Sequence, residues 1–171
     1  RTLTINGLSK SYAMTGWRVG YAGGPENIIQ GIAKIQSQST TNTSSISQAA
    51  AEEALNGTQN FIKIRSDAFK ERRDFVVKKL NSIKGLSCKN PEGAFYVFPS
   101  CKDCIGKKDV NKKEIINDTD FVTSLLENTG VAVVQGSAFG KEGYFRISYA
   151  TSLKNLSKAL DKIEEYCKQL S

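Results

Sequence analysis

Residues 3–22 constrain the chain more than any other stretch. Leu3-Thr4-Ile5 alternates as a strand does, and Val19 to Ala22 reads as a second short strand. The connection between them is Asn6-Gly7-Leu8-Ser9-Lys10-Ser11-Tyr12-Ala13-Met14-Thr15-Gly16-Trp17-Arg18. It is rich in small residues and carries one lysine and, eight positions later, one arginine. Lys10 is thus expected on a tight loop at a strand end, where a rigid element holds a reactive group in place. The usual covalent partner of a lysine amine is a carbonyl. An arginine grips a phosphate with a planar fork of donors. Ser9 and Ser11 add short hydroxyl donors. A carbonyl and a phosphate on one small molecule describe pyridoxal phosphate.

The run from Ser9 to Tyr21, Ser-Lys-Ser-Tyr-Ala-Met-Thr-Gly-Trp-Arg-Val-Gly-Tyr, resembles the Schiff-base lysine motif of the class I aminotransferases. These are fold-type-I pyridoxal-phosphate enzymes, and the likeness is greatest to the bacterial aspartate aminotransferase branch. Complete members are longer and carry the lysine past mid-chain. The resemblance therefore implies a C-terminal fragment of a larger enzyme, one that holds cofactor poorly by itself. The implied fold is α/β: a C-terminal remnant of the cofactor-binding large domain over residues 1–57, then a small α+β domain over 58–171.

The resemblance also implies roles. Lys10 is the attachment point of pyridoxal 5'-phosphate and the base that moves the substrate's α-proton. Arg18, with Ser9 as a weaker candidate, holds the cofactor phosphate. In Tyr144-Phe145-Arg146-Ile147-Ser148-Tyr149-Ala150, alternation puts Phe145, Ile147 and Tyr149 on one strand face and Arg146 on the other. A buried arginine needs an anion or solvent. In the family the arginine of Phe-Arg-Ile-Ser binds the substrate α-carboxylate. The alternative for Arg146 is a salt bridge to a nearby carboxylate.

The implied reaction is transamination of aspartate or a similar amino acid with 2-oxoglutarate, by a cytoplasmic homodimer acting on amino acid and 2-oxo acid substrates. Two alternatives stand beside it. One is a prephenate or aromatic aminotransferase, or another fold-type-I enzyme. The other is a non-catalytic association module.

Composition narrows the remaining chemistry. The chain has no histidine, so it has no Ser-His, Cys-His or His-metal site of its own. Its four cysteines include one close pair, Cys101 and Cys104, which lacks further metal ligands at similar spacing. Reduced thiols and no metal are expected. The net charge of +7 comes from lysines spread along helices and one loop, without arginine-aromatic interleaving. No nucleic-acid partner is implied. No apolar run approaches the ~20 residues that cross a bilayer, so no membrane partner is expected.

The rest of the chain reads as helices separated by turns. Pro25 and Glu26 open a helix in which Ile28, Ile32 and Ile35 share a face. Residues 37–45 are polar and aperiodic; the family's equivalent lies near the subunit interface. A short helix covers Ser47 to Leu55 and stops at Asn56-Gly57. A long one runs from a Thr58 cap to about Ile83, with Phe61, Ile64, Ala68, Phe75, Leu80 and Ile83 as its buried stripe. Ala94 to Pro99 is a strand with Phe95 and Phe98 in the core. Residues 101–117 are expected to be the least ordered part. Asp118 or Thr119 caps a helix with Phe121, Val122, Leu125 and Leu126 inward, and Val131 to Val134 is a buried strand. Gly136-Ser137-Ala138-Phe139-Gly140 resembles a family loop in which proline usually precedes the first glycine; here that position is Gln135. Ser152 caps a last helix whose seam is Leu153, Leu156, Leu160, Ile163, Cys167 and Leu170.

Overall fold

The computed structural model describes all residues from Arg1 to Ser171. The chain forms two compact units, Arg1–Arg65 and Ser66–Ser171.

In the first unit, β1 (Thr4–Gly7) and β2 (Gly20–Gly23) form an antiparallel pair with Ile5 opposite Ala22 and Gly7 opposite Gly20. Helices α1 (Glu26–Ser37) and α2 (Ser45–Asn56) follow. Ile28, Ile32 and Ile35 do share a face of α1, and all three are exposed. Helix α3 (Asn60–Asn81) begins in this unit and continues into the second.

The second unit is built on a three-stranded antiparallel sheet in the order β3 (Tyr96–Val97), β5 (Phe145–Ser148), β4 (Val134–Gln135). Helices α4 (Asp118–Thr129) and α5 (Leu153–Gln169) pack with it around one core. Ser152 caps α5, its hydroxyl accepting from the Asn155 N–H. Leu156, Leu160, Ile163, Cys167 and Leu170 are buried as the three-four spacing requires, each large apolar side chain contributing about 1.5–3 kcal/mol. Leu153, in the first turn, is exposed.

Several local expectations are corrected. The buried stripe of α3 runs through Val76 and Leu80, with Phe69 and Val77 partly covered and Ile83 just beyond. Ile64 and Phe75 point outward. Val76 and Leu80 stand four apart on one face, whereas Phe75 is turned about 100° from Val76. Around β3 the fully buried residues are Val97 and Pro99; Phe95 and Phe98 are half-buried. Leu126 is exposed on α4, and only Val134 of the 131–134 run joins a strand.

Residues 101–117 are packed rather than loose. Cys101, Cys104 and Ile115 belong to the core. Lys108 and Ser171 exchange backbone hydrogen bonds of 2.8 and 3.1 Å, which tie this segment to the chain end. Asp109 is buried and accepts from the Ser124 hydroxyl at 2.6 Å and from the N–H groups of Asn111 and Lys113. These bonds hold its carboxyl below the usual carboxylate range, the Ser124 hydroxyl first among them.

Candidate active site

The β1–β2 connection is closed at its base by a hydrogen bond of 3.2 Å from the Leu8 N–H to the Val19 carbonyl. Leu8 is fully buried and anchors the loop. Two further backbone bonds fold it: the Ala13 N–H donates to Lys10 and the Met14 N–H to Leu8. Ala13 and Arg18 adopt the left-handed conformation, each with φ of 55°. The structure thus gathers Ser9, Lys10 and Arg18 on one closed loop. Ser9 is half-buried; Lys10 and Arg18 are exposed in this chain.

Two contacts steady this loop. The Tyr12 hydroxyl donates to Gln59 Oε1 at 2.9 Å, and the Gln59 amide donates in turn to the Gly57 carbonyl at 2.8 Å. The Tyr12 ring meets Phe61 edge-on, with centroids 6.0 Å apart. Sequence reasoning missed Tyr12 as an anchor, because Gln59 lies 47 positions away. Arg18 spends one nitrogen on the Thr15 carbonyl at 3.0 Å. Arg18 lines a concavity of about 570 Å³ together with Trp17, Thr40, Asn42, Thr43 and Ser44, among others. The polar 37–45 segment therefore forms a wall beside Arg18.

Arg146 lies in the second unit, on the central strand β5. Phe145 and Tyr149 are buried on one face, as alternation predicts. On the other face the Arg146 guanidinium carbon sits 4.4 Å from the centre of the Tyr96 ring and 4.5 Å from that of Phe139. It rests on rings, not on a carboxylate. Tyr96 pairs with Ser148, two residues along β5 on the Arg146 face, which makes it the diagonal neighbour of Arg146. Phe139 arrives from the other side, on the short 3-10 helix Gly136–Phe139 that follows β4.

That helix is held in place by close backbone packing. A Cβ on Gly136 would collide with the Lys141 carbonyl oxygen and stand 2.7 Å from that of Tyr144. Gln135 has φ −60° and ψ 144°, values that proline also adopts, so the turn keeps its shape without proline. The first turn of α4 supports the same helix. Asn117 takes the N-cap position of α4, accepting from the Asp120 N–H, and frees Asp118 for the N–H of Ser137.

The chemistry available is an amine, a hydroxyl and a guanidinium on one loop, and a second guanidinium braced by aromatic rings. The model of the family "Aminotransferase class I and II" matches residues 1–163. The chain belongs to this family. An aspartate aminotransferase of Rhizobium meliloti (strain 1021) is 57% identical over all 171 residues, which span 42% of that protein. An aspartate/prephenate aminotransferase of Cereibacter sphaeroides is 54% identical over 171 residues, 43% of its length. The crystal structure of the Rhizobium meliloti aspartate aminotransferase superposes with a TM-score of 0.98 at 57% identity, covering 100% of this chain and 43% of that one. The chain thus spans less than half the length of these relatives.

Four cysteines of this aminotransferase-family chain, Cys88, Cys101, Cys104 and Cys167, are buried free thiols. No group of histidine, cysteine or acidic residues is arranged to hold a metal ion. No helix is long and apolar enough to cross a membrane.

Proposed function

We propose that the complete protein is an aspartate-type aminotransferase that uses pyridoxal 5'-phosphate, and that this chain is its C-terminal part. The observation that carries the reading is the closed loop bearing Ser9, Lys10 and Arg18 together, in a chain 57% identical to a named aspartate aminotransferase. The donor set suits the cofactor. A primary amine matches its aldehyde, and a guanidinium with donors to spare, with a hydroxyl on the same loop, matches its phosphate. When bound, pyridoxal phosphate supplies an electron sink for charge developing at the substrate α-carbon.

The chain's own residues would do the rest. Lys10 Nζ would hold the cofactor and, once freed, would take the proton from the substrate α-carbon as the base. Arg18 and Ser9 bind the phosphate. Arg146 orients the amino acid by its α-carboxylate through paired, charge-assisted hydrogen bonds, each worth about 1.5–3 kcal/mol. The amino group moves from aspartate to 2-oxoglutarate, in a cytoplasmic homodimer. Residues 1–57 complete a cofactor domain, and residues 58–171 form a small domain.

A second reading takes prephenate as amino acceptor. It is favoured by the aspartate/prephenate name of the Cereibacter sphaeroides relative.

Two measurements test the proposal. Borohydride treatment of the complete protein with pyridoxal phosphate should fix an adduct on Lys10, located by peptide mass. Lys10→Ala should remove both the adduct and transamination while leaving subunit association unchanged. An adduct on another lysine, or retained turnover in Lys10→Ala, overturns the assignment. Assays with 2-oxoglutarate and with prephenate separate the two acceptor readings.

A further inference from the structure

We infer that Tyr96 and Phe139 form an aromatic clamp that positions Arg146 for a carboxylate, so that both rings set the affinity for the acid substrate. The inference rests on the carboxylate-binding reading of Arg146 and deepens it.

A guanidinium is a flat cation with two different kinds of surface. Its faces attract aromatic rings; its five N–H donors lie in the plane and point from its edges. With its carbon 4.4 and 4.5 Å from two ring centres, the Arg146 guanidinium is held by contacts that use none of its N–H donors and leave them for an anion. A carboxylate is planar and matches those donors in pairs. The rings come from the two sides of β5, Tyr96 from strand β3 and Phe139 from the short helix that follows β4. Tyr96 is fixed by strand register beside Ser148, and Phe139 by the tight Gly136 turn.

The clamp is itself supported. Tyr96 meets Phe95 at a tilt with centroids 4.4 Å apart, and Phe139 meets Phe98 edge-on at 6.1 Å. Phe98 in turn stacks on Tyr144 at 5.6 Å with the rings almost parallel. A side chain as long as arginine otherwise loses much rotamer freedom on binding a ligand. Held between braced rings, Arg146 has given up that freedom before the substrate arrives. Tyr96 and Phe139 are positioning residues: they act through Arg146 and need not touch the substrate.

The test uses the complete enzyme with its cofactor, and succinate, a dicarboxylate without an amino group, as the binding probe. Tyr96→Leu and Phe139→Leu should each weaken succinate binding, measured by calorimetry, by about 2- to 30-fold. KM for the amino acid should rise in parallel, with kcat changing much less. Tyr96→Phe keeps the ring and should lose less than Tyr96→Leu. Phe139 is about half exposed, so Phe139→Leu keeps the test open if Tyr96→Leu fails to fold. Arg146→Gln is the control. If it loses succinate while both leucine variants bind like the parent, the clamp is overturned and the carboxylate role of Arg146 stands. If Arg146→Gln binds succinate undiminished, the carboxylate reading fails and the clamp falls with it. Equal damage from Tyr96→Phe and Tyr96→Leu would also overturn the clamp, since the hydroxyl and not the ring would then matter.

Discussion

The Asp118 carboxylate accepts a 2.6 Å hydrogen bond from the backbone N–H of Ser137 and so joins the start of α4 to the short helix that carries Phe139. Asp118 is 1% exposed. Removing the carboxylate would leave the part-buried Ser137 N–H without its partner, a loss of about 1–3 kcal/mol. Asp118→Ala should lower stability by that amount in urea titrations. Asp118→Asn retains an acceptor and should lose less.

The same short helix makes a sharper prediction at Gly136. Its missing side chain is required by backbone oxygens, which cannot move aside as a flexible side chain can. Gly136→Ala should cost about 1–3 kcal/mol or more, read as a fall in Tm. Gly140 offers a control. It has φ of 72° with open space around its Cβ position, so Gly140→Asn, a residue that tolerates this conformation, should cost less.

Acid stability should depend on Glu164. This carboxylate accepts from Lys168 at 2.6 Å and from Lys79, which also reaches Asp161, so that α3 and α5 are bridged. The Lys168 ammonium first, and then that of Lys79, lowers its pKa from 4.5 to about 2. Because the folded value lies below the unfolded one, the stabilisation is present above the ordinary carboxylate pKa and is lost as pH falls toward about 2. The stability difference between the parent and Glu164→Gln should therefore shrink between pH about 7 and about 3. A difference that stays constant over that range would remove Glu164 from the acid response.

Thiol chemistry should report unfolding. All four cysteines are buried, and burial pushes the Cys101 thiol up to about 12. Cys104 is the exception in direction: the Cys167 thiol donates to it and holds its pKa below the ordinary value, with Lys107 adding to the effect. Alkylation near neutral pH should be slow in the folded protein and fast once it unfolds, and a time course followed by mass spectrometry across a urea titration checks this.

Local order in this chain was legible wherever it depends on near neighbours in sequence. The two strands that flank the Lys10 loop, the Ser152 cap, the stop at Gly130 and the apolar seam of α5 follow from periodicity and short-range hydrogen bonds. So does the split of β5 into a buried Phe145–Tyr149 face and an Arg146 face. Ser9, Lys10 and Arg18 could be assigned to one loop because they stand within ten residues of each other.

Tertiary structure decided what depends on distant partners. Phe139 and Tyr96 meet Arg146 only because β3 and β4 lie on either side of β5. Asp118 and Asn117 are both good cap residues, and the choice between them was made by the Ser137 N–H, 19 positions downstream. The polar run 101–117 resembles a loose loop until Ser124 and Ser171 supply its hydrogen bonds and the core receives Cys101, Cys104 and Ile115. Periodicity fixes which side of an element a residue faces; it carries no information about which element waits there, and that is set by the packing of the whole unit.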